Sequence, residues 1–398
     1  MATKEASNGD TSSSSRIKVT TSAQIVMADT VQAEEVPTIP LGSMQTVHAL
    51  QPEVAVRPAA PTQDVRLPAP LVVHPTEYKR GLGEWISLWW HGMRPGYLPL
   101  SLLPVLLGTV LAWTQSISAS TPRGVFHPQR FLAAFVAVLL LQLGANLVND
   151  YYDYLRGIDT TNPLGPGGLI QQGLVKPARV LSIGLVFLAL GALFGILAAL
   201  SGGLLAFGFG LLGVIVAYFY SATSKSLSSL ALGELISFGV FGPLITVGAY
   251  MVQVGHFSMT PLIYSVSLGL LAMAFIHLNN MRDTESDLQA GKHTLANALG
   301  LRLSRILYVL LMLGAYVPVF LLGIPHHGPH LILITLWTIP QLVVLFSGVL
   351  RTDTPASLHI HMQKTLRLEV WFALLLMVAL IFSAFFALLP HLPSLLPL

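Results

Sequence analysis

Nine stretches of this chain, at approximately 96–115, 130–150, 178–200, 203–220, 230–252, 260–280, 303–323, 329–350 and 368–389, are mainly apolar for close to the ~20 residues that a helix needs to cross a bilayer. That repetition predicts an all-α membrane protein with nine transmembrane helices. Hydrophobic residues make up 53% of the 398 and charged residues 10%, against a charged fraction of about 25% in ordinary soluble domains. There is no cysteine, which removes disulfides, thiolate metal sites and cysteine nucleophiles together. The net charge is +3, and the lysines and arginines stand singly rather than in a patch, so no nucleic-acid partner is expected.

Ahead of the first span, residues 1–75 are rich in Ser, Thr, Pro, Gln and Ala and show no sustained apolar period. This composition predicts a disordered N-terminal tail. No continuous apolar run follows a basic start, so no cleavable signal peptide is expected. Residues 76–95 place Trp85, Leu88 and Trp89 at helical spacing just before Arg94 and Pro95, the pattern of a short interfacial segment with an aromatic anchor. Residues 96–398 form the nine-helix domain. Only Ser201, Gly202 and Gly203 separate its third and fourth spans, which requires a tight turn, and Gly191, Gly195, Gly208, Gly210 and Gly213 are expected to allow close helix packing. With a cytoplasmic N-terminus, the inner loops hold Arg94, Arg156, Lys176, Lys225, Arg282, Lys292, Arg305 and Arg351 among others, and the outer side keeps only Arg123 and Arg130. This asymmetry predicts the N-terminus inside and the C-terminus outside.

Two spans end on acids, both on the inner side. Asn146, Asp150 and Asp153 lie at i, i+4 and i+7, one stripe on a helix, with Asn149 beside them. Asn279, Asn280, Asp283 and Asp287 close the sixth span in the same way. One reading is that these acids cap helices or pair with Arg156, Arg282 and Lys292. The other is a functional site, the default for carboxylates at membrane helix ends. Carboxylates facing one another in a low-dielectric cleft repel unless a cation stands between them. Oxygen donors without His or Cys at ligand spacing favour Mg2+, which takes one or two carboxylates and completes its shell with water and phosphate oxygens. A diphosphate bridging the two stripes is the ligand that this implies. Arg156, Lys225, Arg282 and Lys292 are placed to share its charge. Tyr151, Tyr152, Tyr154, Tyr218 and Tyr220 offer aromatic faces near the mouth for a carbocation or an aromatic acceptor. Of the remaining inner acids, Glu369 is expected to pair with a loop base and Glu234 is left open between pairing and acceptor binding. His326, His327 and His330 are expected in an exposed outer loop.

The segments NDYYDYLRGID, from Asn149, and NNMRDTESDLQAGKHTLANALG, from Asn279, resemble the two aspartate-rich motifs of the UbiA superfamily of intramembrane prenyltransferases. Within it the chain is most similar to the 1,4-dihydroxy-2-naphthoate polyprenyltransferases of menaquinone synthesis, the MenA branch. The signals are the late Asp159 of the first motif and the NN-x-RD form of the second, and the likeness runs from about residue 88 to the C-terminus. Gly165 to Gly168 stand where a basic residue is expected. The resemblance implies a nine-helix bundle in the cell membrane with a cytoplasmic site. Its implied substrates are a polyprenyl diphosphate and an aromatic acceptor, dihydroxynaphthoate, which is decarboxylated as the chain is installed. By the same resemblance Asp150, Asp153, Asp283 and Asp287 are the Mg2+ ligands, Asn146 and Asn149 support the first site, and Asp159 is a lesser candidate. A different aromatic or a chlorin acceptor is the neighbouring alternative. A cation transporter is the alternative from another class, opposed by the absence of any acid on the outer half of the spans to complete a path.

Overall fold

The computed structural model describes residues 81–117, 124–158, 168–222, 226–324 and 329–389. The expected tail at 1–75, together with Asp159, Lys225, His326 and His327, lies outside the described residues. What is described is nearly all helix, and eight helical segments are long and apolar enough to cross a membrane: Pro95–Ser116, Pro128–Arg156, Pro177–Phe219, Gly233–Val254, Met259–Arg282, Leu295–Gly323, His330–Arg351 and Pro355–Leu388. A short helix, α1 (Leu82–Gly92), precedes them. Trp85, Leu88 and Trp89 pack on a buried cluster of Leu147, Leu169, Ile170, Val175 and Val180, while Leu82, Ile86 and Trp90 stay exposed. Arg94 follows in the left-handed region, at φ 55° and ψ 54°, and turns the chain into α2 (Pro99–Ser116).

The first motif ends α3 (Pro128–Arg156). The next element, α4 (Pro177–Phe219), has 43 residues and non-helical backbone at Gly203, φ 79° and ψ −179°. Drawn straight it would run roughly 64 Å, about twice the hydrocarbon thickness. Instead it folds back. Ala198 packs with Ala134 and Val252, whereas Leu181 and Leu188 of the first arm share one cluster with Ala217 and Tyr218 of the second around Val148. The expected turn at Ser201 to Gly203 is this reversal, and a positive φ there is what a glycine tolerates.

The second arm leads to α5 (Gly233–Gly239), a π turn at Val240–Leu244 and α6 (Ile245–Val254). Next comes α7 (Met259–Arg282), which carries the second motif, and the short α8 (Thr284–Gln289). The chain closes with α9 (Leu295–Gly314), α10 (Val317–Gly323), a 3-10 segment at His330–Thr338, α11 (Ile339–Arg351) and α12 (Pro355–Leu388). The largest core cluster joins α2, α6, α7 and α9 to α12 through Leu107, Leu111, Phe275, Tyr308, Met312 and Phe372 among others. Polar pairs are satisfied within it: Tyr308 Oη meets Thr365 Oγ1 at 2.8 Å and Tyr316 Oη meets Thr338 Oγ1 at 2.6 Å. Glu369 departs from expectation, because it is fully buried in α12 with neither carboxylate oxygen hydrogen-bonded among the described residues.

The glycines also divide otherwise than expected. A Cβ on Gly108 would stand 2.1 Å from Thr246 O, one on Gly184 3.1 Å from Leu147 Cβ, and one on Gly191 3.0 Å from Leu141 N. Those glycines let α2 approach α6 and α3 approach α4. A Cβ on Gly195 or Gly213 would meet nothing nearer than 3.9 Å, and one on Gly208 or Gly210 nothing within 4 Å. Of the five glycines expected to serve packing, only Gly191 does. Gly108→Val should therefore lower the melting temperature in detergent, costing about 1–3 kcal/mol by overpacking against backbone, whereas Gly208→Ala should leave it unchanged or higher. A Gly108→Val protein as stable as wild type would show that the α2–α6 approach is not held by that contact.

Candidate active site

The polar end of the bundle is built from the ends of α3, α4, α7 and α8 and from the turns at Arg94 and Gly291. Helix α3 stops because Gly157 takes the left-handed cap at φ 71°, its N–H bonded to Asp153 O and Tyr154 O. This leaves Asp150 and Asp153 in the last two turns, 2% and 8% exposed. The Arg94 turn sits against them: Nη1 donates to Asn149 Oδ1 at 3.0 Å, and Nη2 lies 3.5 Å from Asp150 Oδ1. Asn146 Nδ2 fixes the same turn by donating to Met93 O at 2.8 Å. Arg156 lies 3.6 Å from Asp153 and donates to Ser226 Oγ at 3.2 Å and to Ser221 O. It thus fastens the segment after α4 to the first motif, and Asn149 Nδ2 adds a bond to Ser221 Oγ at 2.8 Å.

The second motif begins in the last turn of α7. Arg282 is buried and forks onto Asp283, Nε to Oδ1 at 2.7 Å and Nη2 to Oδ2 at 2.5 Å, while Nη2 also donates to Asn279 Oδ1 at 3.0 Å. Its Nη1 donates to His359 Nδ1 of α12 at 2.9 Å. Asn280 Nδ2 donates to Glu234 Oε1 at 2.9 Å, and His277 Nδ1 lies 3.3 Å from the same oxygen, with its Nε2 3.1 Å from Ser304 O. Glu234, left open on sequence, thus ties α5 to α7. After α8 the left-handed Gly291 (φ 71°) returns the chain, so that Lys292 Nζ reaches Asp287 Oδ1 at 3.1 Å.

One cavity of about 390 Å3 joins the two motifs. Its polar end is lined by the carboxylates Asp153, Asp283 and Asp287, the cations Arg94 and Lys292, the amides of Asn146, Asn149, Asn279 and Asn280, and Tyr220. Its other walls are mainly apolar and come from α2 to α7. Asp150, Tyr151, Arg156 and Arg282 do not line it; they stand behind the residues that do. The electrostatics tie the stripes together. Burial alone would pull Lys292 down, but Asp287 and Asp153, one from each stripe, hold it above the usual lysine range. Burial pushes the Tyr220 phenol up to about 12, with Lys292 acting against it, so it stays a neutral hydrogen-bond donor. Arg94 was read on sequence only as a topology signal. The one sequence cue to its position is a basic residue directly before the first span.

All four aspartates have a basic neighbour: Arg94 for Asp150, Arg156 for Asp153, Arg282 for Asp283 and Lys292 for Asp287. The pairing weighed on sequence is therefore present, and three of those acids still face the cavity. Among the described residues no three His, Asp or Glu side chains lie close enough together to hold an ion between them. The donor set nevertheless fits a hard cation, because the cavity offers carboxylate and amide oxygens and no imidazole or thiolate. A cation taking one or two carboxylates and sharing the rest of its shell with water and phosphate needs no tighter cage.

The profile of the UbiA prenyltransferase family matches residues 101–372. The chain is 28% identical over 311 residues, 77% of its length, to 95% of the 1,4-dihydroxy-2-naphthoate octaprenyltransferase of Bacillus subtilis. It is 31% identical over 357 residues, 82% of its length, to 88% of the UbiA prenyltransferase domain-containing protein 1 homolog of Drosophila melanogaster. Among solved structures, a UbiA homolog from Archaeoglobus fulgidus bound to GPP and Mg2+ superposes with a TM-score of 0.51 at 14% identity, over 73% of this chain and 99% of that one.

The Lys292 pairing yields a test in pH. A lysine whose folded pKa is raised contributes stability that is fully present below its unfolded value of about 10.4 and is lost only as pH rises through the higher folded value. Lys292→Met should therefore destabilise the protein at neutral pH by on the order of 3–5 kcal/mol, the scale for leaving a buried charge unpaired. The deficit should hold constant from about pH 6 to 9 and begin to shrink only above the unfolded lysine value of about 10.4, as the wild-type pairing is lost. Melting curves of wild type and variant between about pH 6 and 11 measure it, and a deficit that does not shrink above about pH 10.4 would refute the charge account.

Proposed function

Because this chain belongs to the UbiA prenyltransferase family, we propose that it transfers a polyprenyl group from a polyprenyl diphosphate to 1,4-dihydroxy-2-naphthoate with loss of CO2, giving the quinol form of a demethylmenaquinone. The observation that carries this reading is the cavity with carboxylates and cations at one end and an apolar arm behind them, which matches a substrate with an anionic head and a hydrocarbon tail. For the acceptor, the support is the NN-x-RD motif at Asn279 to Asp283 and the likeness to the Bacillus subtilis enzyme. The comparable likeness to the Drosophila melanogaster protein keeps another aromatic acceptor as the second reading.

In this reading Asp153, Asp283 and Asp287, which line the cavity, would hold Mg2+ directly or through water, and Asp150, which stands behind them, would do so through water. When bound, the metal supplies Lewis acidity that stabilises the charge developing on the diphosphate. Arg94 and Lys292 line the same end and neutralise phosphate oxygens, and Tyr220 donates a hydrogen bond to one. Arg156 and Arg282 position the acids, and Lys225 and Asp159 remain candidates from the sequence. The allylic C–O bond of the donor breaks with its electron pair leaving on the diphosphate. The ring carbon bearing the carboxylate attacks the allylic cation, and the C–C bond to the carboxylate then returns its pair to the ring as CO2 departs. Apolar walls keep water from the cation meanwhile. Counting the two arms of α4 separately supports nine crossings. The positive-inside asymmetry supports an N-terminus and a site on the cytoplasmic side of the cell membrane, with residues 1–75 as a tail that the reaction does not use.

Purified protein in nanodiscs, with Mg2+, farnesyl diphosphate and a panel of acceptors, tests the reading. Dihydroxynaphthoate should be prenylated with release of CO2, while 4-hydroxybenzoate should react at least tenfold more slowly, since a pocket built for two hydroxyls leaves polar groups unpaired with an acceptor lacking one. Equal use of 4-hydroxybenzoate would move the assignment to the second reading. Asp153→Ala and Asp283→Ala should each remove nearly all turnover, because acids acting on one diphosphate do not contribute additively. Full turnover in excess chelator would contradict the metal role.

A further inference from the structure

Four glycines line the cavity without serving any helix contact: Gly195 and Gly213 on the two arms of α4, Gly210 on the second arm and Gly248 on α6. A Cβ would meet nothing nearer than 3.9 Å at Gly195, Gly213 or Gly248, and nothing within 4 Å at Gly210. All four lie within helices with no special backbone, since none is among the positive-φ glycines. Glycine is among the poorest helix formers, so each weakens its helix without allowing a closer approach. What each does provide is volume on the inner face of the apolar arm.

Their depths differ. Tyr220 marks the polar end of the second arm, and Gly213 and Gly210 lie seven and ten residues before it, roughly 10 and 15 Å along a helix. Gly195 faces Ala137, which is twelve residues before Asn149 on α3, roughly 18 Å away. With about 5 Å per isoprene unit from ordinary bond lengths, these depths correspond to about two, three and four units. The arm ends past Gly195, at Ala134, Ala198 and Val252, which are buried and packed on one another.

From this, resting on the proposed prenyl diphosphate donor, we infer that Gly195, Gly210, Gly213 and Gly248 are specificity-determining residues. They keep a slot open inside the protein for the first four to five isoprene units of a long donor, and they are glycine for the ligand rather than for the fold. Donor length is therefore read along the glycines, and a side chain at each one blocks the slot at its own depth.

The test is a ladder of variants, Gly213→Leu, Gly210→Leu and Gly195→Leu, with Gly208→Leu as control on the same helix outside the cavity. Apparent affinities for geranyl, farnesyl, geranylgeranyl and octaprenyl diphosphates are read from ligand-induced melting shifts in phosphatidylcholine nanodiscs with Mg2+, which needs no acceptor. Gly213→Leu should keep the geranyl shift and weaken farnesyl and longer donors at least tenfold. Gly210→Leu should move that break beyond farnesyl, and Gly195→Leu should weaken only the octaprenyl donor. Gly208→Leu should match wild type. Without ligand, Gly210→Ala and Gly213→Ala should melt at or above the wild-type temperature. An unchanged length profile across the ladder, or a drop of several degrees for the unliganded alanine variants, would overturn the inference. If no prenyl diphosphate of any length shifts the wild type, the donor assignment itself fails.

Discussion

Taking a carboxylate out of water at a membrane helix end is the cost around which this molecule is arranged. Four aspartates gather at one end of the bundle, and each is met by a basic side chain from its own motif or an adjoining turn. Those pairings tie together elements that also share apolar contact. Arg94 joins the turn before α2 to α3, Arg156 joins α3 to the segment after α4, and Arg282 joins α7 to α12 through His359. The charges that a ligand would need are thus also what fastens the helix ends, and a cation arriving with a diphosphate would exchange partners within an already neutral set.

The apolar part of the bundle obeys a different constraint. Association of helices in lipid relies on close contact rather than on the hydrophobic effect, and Gly108, Gly144, Gly184 and Gly242 sit where backbones nearly touch. The same residue type borders the cavity with nothing against it. A glycine here therefore means either contact or its opposite, and only the packing around it separates the two.

That difference marks what could be read from the chain. The spans were legible because apolar runs of sufficient length have one solution in lipid, and the helix ends bearing Asp150, Asp153, Asp283 and Asp287 were legible because polar residues at helical spacing interrupt those runs. Their convergence on one cavity follows from the fold and appears in no spacing. Arg94 was read only as a topology signal because its position depends on a left-handed turn. The bond from Glu234 to Asn280 spans 46 residues, beyond any local pattern. Glu369 was expected to find a base and found a packed core instead. Asp159 and Lys225 lie outside the described residues.

The reversal within α4 bears on how the chain enters the bilayer. Its two arms are joined at Ser201, Gly202 and Gly203, a connection with no charge and no polar side chain beyond one hydroxyl. Such a turn carries no topogenic signal, and neither arm can be retained or translocated by its own flanking residues on that side. The arms should therefore leave the insertion machinery as a single helical hairpin whose orientation is inherited from Lys176 and Arg179 at its entrance, and a charge introduced at Gly202 would oppose the burial of both arms at once.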